Sequence, residues 1–358
     1  MDTKTISAIL PGATITGKLR KPLSLLTDDS RKVEPDCCYI AIRGTQFDGH
    51  SVIDSAIAGG AVAIVAETPV SPQAAEAGIL WVQVADTREA NGLLMSAWHG
   101  YPSSSMVVLG VTGTNGKTSV TLLLKHVLEK TLGAKVGLIG TMENLVGDEV
   151  IPTERTTPES FELQALFARM RDAGCTHVVM EVSSHALTLD RVGGVHFDVA
   201  AFTNLTEDHL DFHKTMESYC DTKAELFHRC DKAVANADDA WFERITQNAT
   251  CQILTTSVKG NADLYAEDLE LKSDGISFTA VYGTQRVAVQ LPIPGKFTVY
   301  NALTVLGCAL QLGISLNDAA EALKTAKGVK GRVEVVPTPG KDYTVLIDYA
   351  HTPDGLEN

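Results

Sequence analysis

Short apolar runs alternate with amphipathic stretches along most of the chain, and the texture of that alternation changes twice. Near the N-terminus "CCYIAI" and "GAVAIVAE" predict strands, and "GHSVIDSAIAGG" between them predicts a helix closed by its glycines. The stretch "YPSSS" at 101–105 interrupts the pattern and marks a linker. From "MVVLGV" onward, the apolar runs "KVGLIGT", "HVVMEVSS", "FDVAAFTNL" and "KAVANAD" alternate with helical segments, which predicts a mostly parallel sheet with helices on both faces. Between about 262 and 294 the period drops to two, in "LYAEDLELKSDGISFTAVYGTQRVAVQLPIPG", with turn residues between the runs, so a few antiparallel strands follow. A helix pair, "TVYNALTVLGCALQLG" and "SLNDAAEALKTAKG", comes next, and then a strand-like "YTVLIDYAH". The expected fold class is α/β: a small N-terminal α/β domain over 1–103 and a central P-loop-type, mostly parallel sheet domain with a small antiparallel sheet over 104–335. Residues 336–358 read as the start of a truncated C-terminal domain.

Length and charge narrow the classes. A chain of 358 residues has room for two or three domains of roughly 100–200 residues each. A net charge of −14 argues against non-specific nucleic-acid binding, since polyanions are drawn to basic stripes, yet leaves room for a small anion held by local donors. No basic segment with an apolar core opens "MDTKTISAILPG", and no uninterrupted apolar run reaches about 18 residues, so a soluble cytoplasmic protein with no membrane partner is expected. Seven cysteines without a CxxC pair suit reduced thiols better than disulfides or a zinc cluster.

Candidate chemistry sits at the ends of the predicted strands. "GVTGTNGKTS", 110–119, lies between a strand and an amphipathic helix, the context of a phosphate loop, although Val111 stands where the usual pattern has glycine. Gly110, Gly113 and Gly116 would let backbone N–H groups converge on an anion, Lys117 would neutralise phosphate oxygens, and Thr118 could ligate Mg²⁺. Glu181 ends the strand in "MEVSSHAL", where open α/β sheets bind ligands, and a carboxylate there can hold Mg²⁺ or merely face solvent. "FTNLTEDHLDFH" gathers Asn204, Asp208, His209, Asp211 and His213 into one loop, a possible metal-ligand set or an acidic helix cap. Lys223 in "YCDTKAELF", taken alone, reads as a solvated surface charge.

Together with "GKFTVYNAL", "GRVE" and "DYAHTPDGLEN", these motifs occur in the order seen in the Mur ligases of peptidoglycan synthesis and their folylpolyglutamate synthetase relatives, which the chain resembles over nearly its whole length. Valine at the first glycine position of the phosphate loop is usual in that family. "LTDDSRKVEPDCCYIAIRGTQFDGH" resembles the UDP-binding N-terminal domain of the branch that adds the third residue to UDP-N-acetylmuramoyl-L-alanyl-D-glutamate.

The resemblance implies a catalytic set of Lys117, Lys223, Glu181, His209 and Arg332. It places ATP on Gly113, Thr114, Asn115, Gly116, Lys117, Thr118 and Ser119, with Asn301, Arg332, Asp348 and His351 around adenine, ribose and γ-phosphate. It also implies two Mg²⁺ ions on Thr118, Glu181, His209 and a carbamylated Lys223, which as an unmodified ammonium would repel the metal. The uridine segment would comprise Asp28, Ser30, Thr45, Gln46 and Phe47, and the sugar-peptide pocket Thr156, Thr157, Ser183 and Arg191. The co-substrate would be a diamino acid, meso-diaminopimelate or L-lysine, and the protein a monomer. Leu189 stands where some members carry a polar substrate contact, and the sequence ends before the family's C-terminal domain. Two alternatives remain open at this point: another acid:amine ligation of the same family, or a nucleotide- and UDP-sugar-binding module without turnover.

Overall fold

The computed structural model describes residues 1–348 except Gln46, Val333, Pro337, Lys341, Asp342 and Thr344, with the backbone alone at Val335 and Leu346. It divides into two compact units. The first comprises 1–105, 158–169 and 188–195, and the second the remainder.

The first unit is built on a five-stranded sheet of β1 (Thr14–Thr16), β2 (Leu26–Thr27), β3 (Cys38–Ile40), β4 (Ala63–Ala66) and β5 (Leu80–Gln83), in the order β1-β5-β4-β3-β2. All neighbours are parallel except β1 and β5. Successive side chains of a strand point to opposite faces, so the unbroken apolar run of β3 serves two cores. Cys38 and Ile40 pack with Val65, Leu80 and the helix Thr87–Trp98 on one side, while Tyr39 and Ala41 pack with Ile64, Trp81 and the helix Ile53–Ala58 on the other. The helix expected across 49–60 is shorter than its pattern. Asp48 caps a 3₁₀ turn over Gly49–Val52, and only Ile53–Ala58 is α-helical.

Segments 158–169 and 188–195 join this unit through backbone contact that only glycine permits. A Cβ on Gly92, in the helix Thr87–Trp98, would lie 2.6 Å from the Cα of Gly193. Ser96 Oγ donates to the Gly194 carbonyl at 3.1 Å, Gln164 Nε2 donates to the Gly193 carbonyl at 3.3 Å, and Phe161 packs against the Ile40 and Leu94 side.

The second unit is organised by an 11-stranded sheet. Its strands are β6 (Val107–Thr112), β7 (Val136–Ile139), β8 (Asn144–Val146), β9 (Glu149–Ile151), β10 (His177–Glu181), β11 (Phe197–Phe202), β12 (Cys230–Asn236), β13 (Gln252–Ser257), β14 (Leu264–Lys272), β15 (Gly275–Tyr282) and β16 (Gln285–Leu291). They run in the order β16-β15-β14-β13-β12-β11-β6-β10-β7-β8-β9. The strands from β13 to β7 are parallel. The antiparallel strands β14, β15 and β16 do not form a sheet of their own, because Thr256 and Ser257 pair in parallel with Leu264 and Tyr265 and continue the central sheet. Asp263 secures that junction by accepting from the Thr255 backbone at 2.8 Å and its hydroxyl at 2.7 Å. A hairpin of β8 and β9 extends the opposite edge. A further short pair, β17 (Glu334–Val336) and β18 (Val345–Ile347), lies near the end of the described chain.

One face of this sheet is covered by the helices Lys117–Leu132, Lys296–Gln311 and Leu316–Leu323, whose Val120, Leu124, Val299, Leu303 and Leu323 are fully buried. From β6 the chain crosses to β7, returns to β10, and then passes to β11 on the other side of β6. The loops leaving β6, β10 and β11 therefore diverge at a topological switch point, where open α/β sheets form a crevice. Among the described residues no helix is long and apolar enough to cross a membrane.

A Gly92→Ala substitution weighs a helix-propensity gain of at most about 1 kcal/mol against overpacking onto backbone that cannot rotate away, which costs roughly 1–3 kcal/mol. Net destabilisation is expected, read as a lower urea midpoint. An unchanged or raised midpoint would refute the backbone contact.

Candidate nucleotide and acceptor site

The loop between β6 and the helix Lys117–Leu132 is shaped by two glycines and braced by the loop after β11. Gly113 has φ +142° and Gly116 φ +87°, so both take up backbone that favours glycine. Neither has room for a side chain: a Cβ on Gly113 would lie 2.0 Å from Thr203 Oγ1, and one on Gly116 2.5 Å from Asn301 Oδ1. Gly110 has a different role from the one its motif suggested. It lies within β6, where a Cβ would strike the Phe197 ring at 2.8 Å, so its smallness serves packing rather than an anion.

The N–H groups of Thr114 and Asn115 are likewise engaged within the protein, donating to Asn204 O at 2.8 Å and Asn204 Oδ1 at 2.9 Å. Thr203 Oγ1 and Asn204 Nδ2 both donate to the Asn115 carbonyl, at 2.7 and 3.1 Å. Thr114 and Asn115 thus hold the loop in shape. The remainder of the loop, with Lys117, Thr118 and Ser119 opening the helix, presents the dipole end that attracts phosphate.

Lys117 folds back on this loop, donating to the carbonyls of Gly113 at 2.9 Å and Thr114 at 2.8 Å. Lys223, almost wholly buried in the helix Met216–Ala224, donates to the same Gly113 carbonyl at 2.8 Å. Its amine also stands 4.6 Å from the centre of the Tyr219 ring. Burial lowers the pKa of both lysines; at Lys223 the nearby Lys117 charge adds to it and the value falls well below the usual range. The expectation of a solvated Lys223 is overturned by the packing of its helix against the phosphate loop. Tyr219 completes the contact with its hydroxyl 3.2 Å from Thr114 Oγ1.

Glu181, at the end of β10, is 1% exposed, and its carboxylate gathers three donors: Thr118 Oγ1 at 3.0 Å and Thr141 N at 2.9 Å on Oε1, and Thr141 Oγ1 at 3.0 Å on Oε2. Gly140 makes room for it, since a Cβ there would lie 2.5 Å from Oε1. Thr141 Oγ1 also meets Thr156 Oγ1 at 3.0 Å. Thr157 donates to the Glu181 carbonyl at 2.9 Å and accepts from the Ser183 N–H at 3.1 Å.

His209 has a left-handed backbone, φ +54°, and a ring 3.4 Å from Asp208 Oδ2. Its pKa is lowered, first by burial and then by the Lys223 and Lys117 charges, with Asp208 opposing. His213 donates to or accepts from Ser184 Oγ at 2.8 Å and stacks on Tyr219, and burial brings its pKa down to about 4. Hard oxygen donors from Glu181 and Thr118, with one imidazole, fit Mg²⁺. That ion keeps several waters and shares its shell with substrate phosphates, so it does not require a closed protein cage. The described residues contain no cluster of three or more His, Cys, Asp and Glu that could hold a metal ion.

Asn301 is buried against Gly116, and Arg332 lies close enough to Lys117 to lower its pKa further. Asp348 is exposed after β18, and His351 lies outside the described residues. In the first unit Asp28 is half-buried, receives Asn91 Nδ2 at 3.3 Å, and has its pKa raised chiefly by burial. Ser30 opens the 3₁₀ turn capped by Asp29; Thr45 and Phe47 are exposed, and Gln46 lies outside the described residues. Arg191 pairs with Glu159 at 2.7 Å, and the Leu189 carbonyl accepts from Arg88 at 3.3 Å. Motif reading gave no role to Thr141, Gly140, Thr203 or Tyr219. The position of Thr141 just after an apolar strand is the one signal that pointed towards it.

Comparison with known proteins follows the same division of the chain. Residues 111–309 match the family described as Mur ligase middle domain, and residues 23–99 the one described as Mur ligase family, catalytic domain. The chain is 43% identical over 340 residues to a Clostridium botulinum protein described as UDP-N-acetylmuramoyl-L-alanyl-D-glutamate--2,6-diaminopimelate ligase, covering 95% of this chain and 70% of that one. It is 44% identical over 345 residues to a Caldanaerobacter subterraneus protein of the same description, with 96% and 70% covered. A solved structure so described superposes with a TM-score of 0.82 at 29% identity, over 98% of this chain and 72% of that one. On a family match spanning more than half of its length, and on these relatives, the chain belongs to the Mur ligase family.

Proposed function

We propose that this protein is the ATP-dependent carbon-nitrogen ligase that adds a diamino acid, 2,6-diaminopimelate by the description of its relatives, to UDP-N-acetylmuramoyl-L-alanyl-D-glutamate. The observation that carries the reading is the bond from Thr118 to Glu181 at the end of β10, together with the buried Lys223 amine on the Gly113 carbonyl of the same phosphate loop. In the reaction a carboxylate oxygen of the terminal D-glutamate attacks the γ-phosphorus of ATP and ADP departs, leaving an acyl phosphate. The amine of the incoming amino acid then attacks the acyl carbon, loses a proton, and phosphate leaves. No protein nucleophile takes part.

The chain's own residues position these groups and offset charge. Lys117 exchanges its carbonyl partners for β- and γ-phosphate oxygens, with Arg332 adding positive potential from the same side. Asn301, against Gly116, serves the adenosine end, with Asp348 and His351. Thr118, Glu181, His209 and a carbamylated Lys223 would hold Mg²⁺. Bound there, Mg²⁺ supplies charge neutralisation between carboxylate and phosphate. Lys223 suits carbamylation because burial and the Lys117 charge depress its pKa and so favour the neutral amine, the form that attacks CO₂ and releases one proton to give an anionic oxygen ligand. In this reading the N-terminal segment 1–103 binds UDP-sugar through Asp28, Ser30, Thr45, Gln46 and Phe47. Segment 104–335 carries the ATP site, and Thr156, Thr157, Ser183 and Arg191 receive the peptide.

Calorimetric titration with UDP-N-acetylmuramoyl-L-alanyl-D-glutamate, the same nucleotide lacking D-glutamate, and dihydrofolate, each with Mg²⁺ and a non-hydrolysable ATP analogue, tests the assignment. Selective binding of the dipeptide form is expected, and preference for either competitor would move the protein to another acid:amine ligation.

The carbamate has its own signature. In buffer stripped of CO₂ and bicarbonate, ligation should decay and return on adding bicarbonate, and Lys223→Ala should lose about a hundredfold or more of the rate. Full activity of Lys223→Ala would sink the modification. The sign with pH follows from the lowered pKa: acid protonates the amine and favours CO₂ release, so recovery after an acid pulse should require bicarbonate.

A further inference from the structure

Thr141 grips Glu181 twice, with its backbone N–H on Oε1 and its hydroxyl on Oε2. A threonine hydroxyl carries one hydrogen. With that hydrogen on the carboxylate, the 3.0 Å contact between Thr141 Oγ1 and Thr156 Oγ1 must be made by the hydrogen of Thr156. Thr156 is then left with lone pairs only for whatever approaches it. Its distance from Thr141 is not free to drift, because the adjoining Thr157 is bonded to the Glu181 carbonyl and to the Ser183 N–H.

The two carboxylate oxygens are unequally held. Oε1 has the Thr118 hydroxyl and the Thr141 N–H, whereas among the described residues Oε2 has the Thr141 hydroxyl alone. A cation that takes Oε2 has a single rotatable hydroxyl to displace. Once displaced, the Thr141 hydroxyl finds its next acceptor in Thr156, and the Thr156 hydrogen is released. The contact lies at the exposed end of β7, so an arriving ligand meets it directly.

We propose that Thr141 is a positioning residue whose hydroxyl switches Thr156 from hydrogen-bond acceptor to donor when Glu181 is engaged, so that filling the nucleotide and Mg²⁺ site strengthens binding of a carboxylate-bearing acceptor. The inference rests on the ligase reading above. It adds a coupling between two ligands, with a free energy that must be reciprocal. The bistable element is one pair of hydroxyls, and no backbone movement is needed.

The test is calorimetric titration of UDP-N-acetylmuramoyl-L-alanyl-D-glutamate into the full chain, without and with Mg²⁺ plus a non-hydrolysable ATP analogue. The native protein, Thr141→Val and Thr141→Ser are compared. For the native protein the acceptor affinity should rise about fivefold or more when the second site is filled. Thr141→Val leaves Thr156 no oxygen to donate to, so it should bind acceptor alone nearly as tightly as the filled native protein and show little further rise, and Thr141→Ser, which keeps the hydroxyl, should restore the native pattern. A merely structural role would move both titrations of the Val variant together. A full rise in Thr141→Val, or none in the native protein, would overturn the relay. If Thr141→Val does not fold, Thr156→Val removes the other end of the contact and must abolish the rise instead. Failure of the acceptor to bind the native protein under either condition would overturn the ligase reading itself.

Discussion

Two amines meet at one buried carbonyl. Lys117 and Lys223 both donate to Gly113 O, at 2.9 and 2.8 Å, and two ammonium groups so placed in a protein interior repel each other while lacking solvent. The repulsion can be relieved by loss of a proton, by conversion of one amine into an anion, or by an anionic ligand that draws the other away. The first two routes make the site more favourable to a divalent cation, and the third is the binding of phosphate itself. The candidate site thus gathers two amines at one carbonyl, although the whole chain carries −14. Bulk charge and site charge are separate quantities, and the site acts through local donors over distances shorter than a Debye length.

The rest of the centre is organised by hydroxyls and backbone rather than by charges. Thr114, Thr118, Thr141, Thr156, Thr157 and Thr203 carry most of the side-chain hydrogen bonds that join the loops after β6, β7, β10 and β11. Hydroxyls can donate or accept, so such a network can rearrange its hydrogens without moving heavy atoms. Glycines at 113, 116 and 140 allow the close backbone and carboxylate approaches that this network needs. Tyr219 and His213, stacked beneath it, connect the helix bearing Lys223 to the loop bearing Thr114 and to Ser184.

Much of this was legible in the residues. Alternation of apolar strands and amphipathic helices gave the parallel core of the second unit, because parallel strands are buried on both faces and read as unbroken apolar runs. The phosphate loop was recognisable from its strand-loop-helix context despite Val111, and Glu181 from its place at a strand end. Pairing between distant segments was not legible. Nothing local in "LYAEDLELK" says that its first residues pair in parallel with β13 on one side while the strand pairs antiparallel with β15 on the other, and the burial of Lys223 depends on how its helix packs. The glycine at 110 misled because its spacing fits an anion loop, whereas its neighbour in space, Phe197, lies far along the chain. Thr141 carried no motif at all, since its significance comes from two partners at 156 and 181.

The first unit has an order of assembly written into it. Its helix Thr87–Trp98 is completed by Gly193 and Gly194, and one of its cores is finished by Phe161, residues that leave the ribosome long after the strands they cover. Domains generally fold as units, the N-terminal one first during synthesis. Here the earliest sheet must wait, with part of its apolar face bare, until the chain has passed Val195 and much of the second unit's central sheet has already emerged. Cutting the gene after residue 105 would therefore leave a protein fragment missing pieces of its own interior.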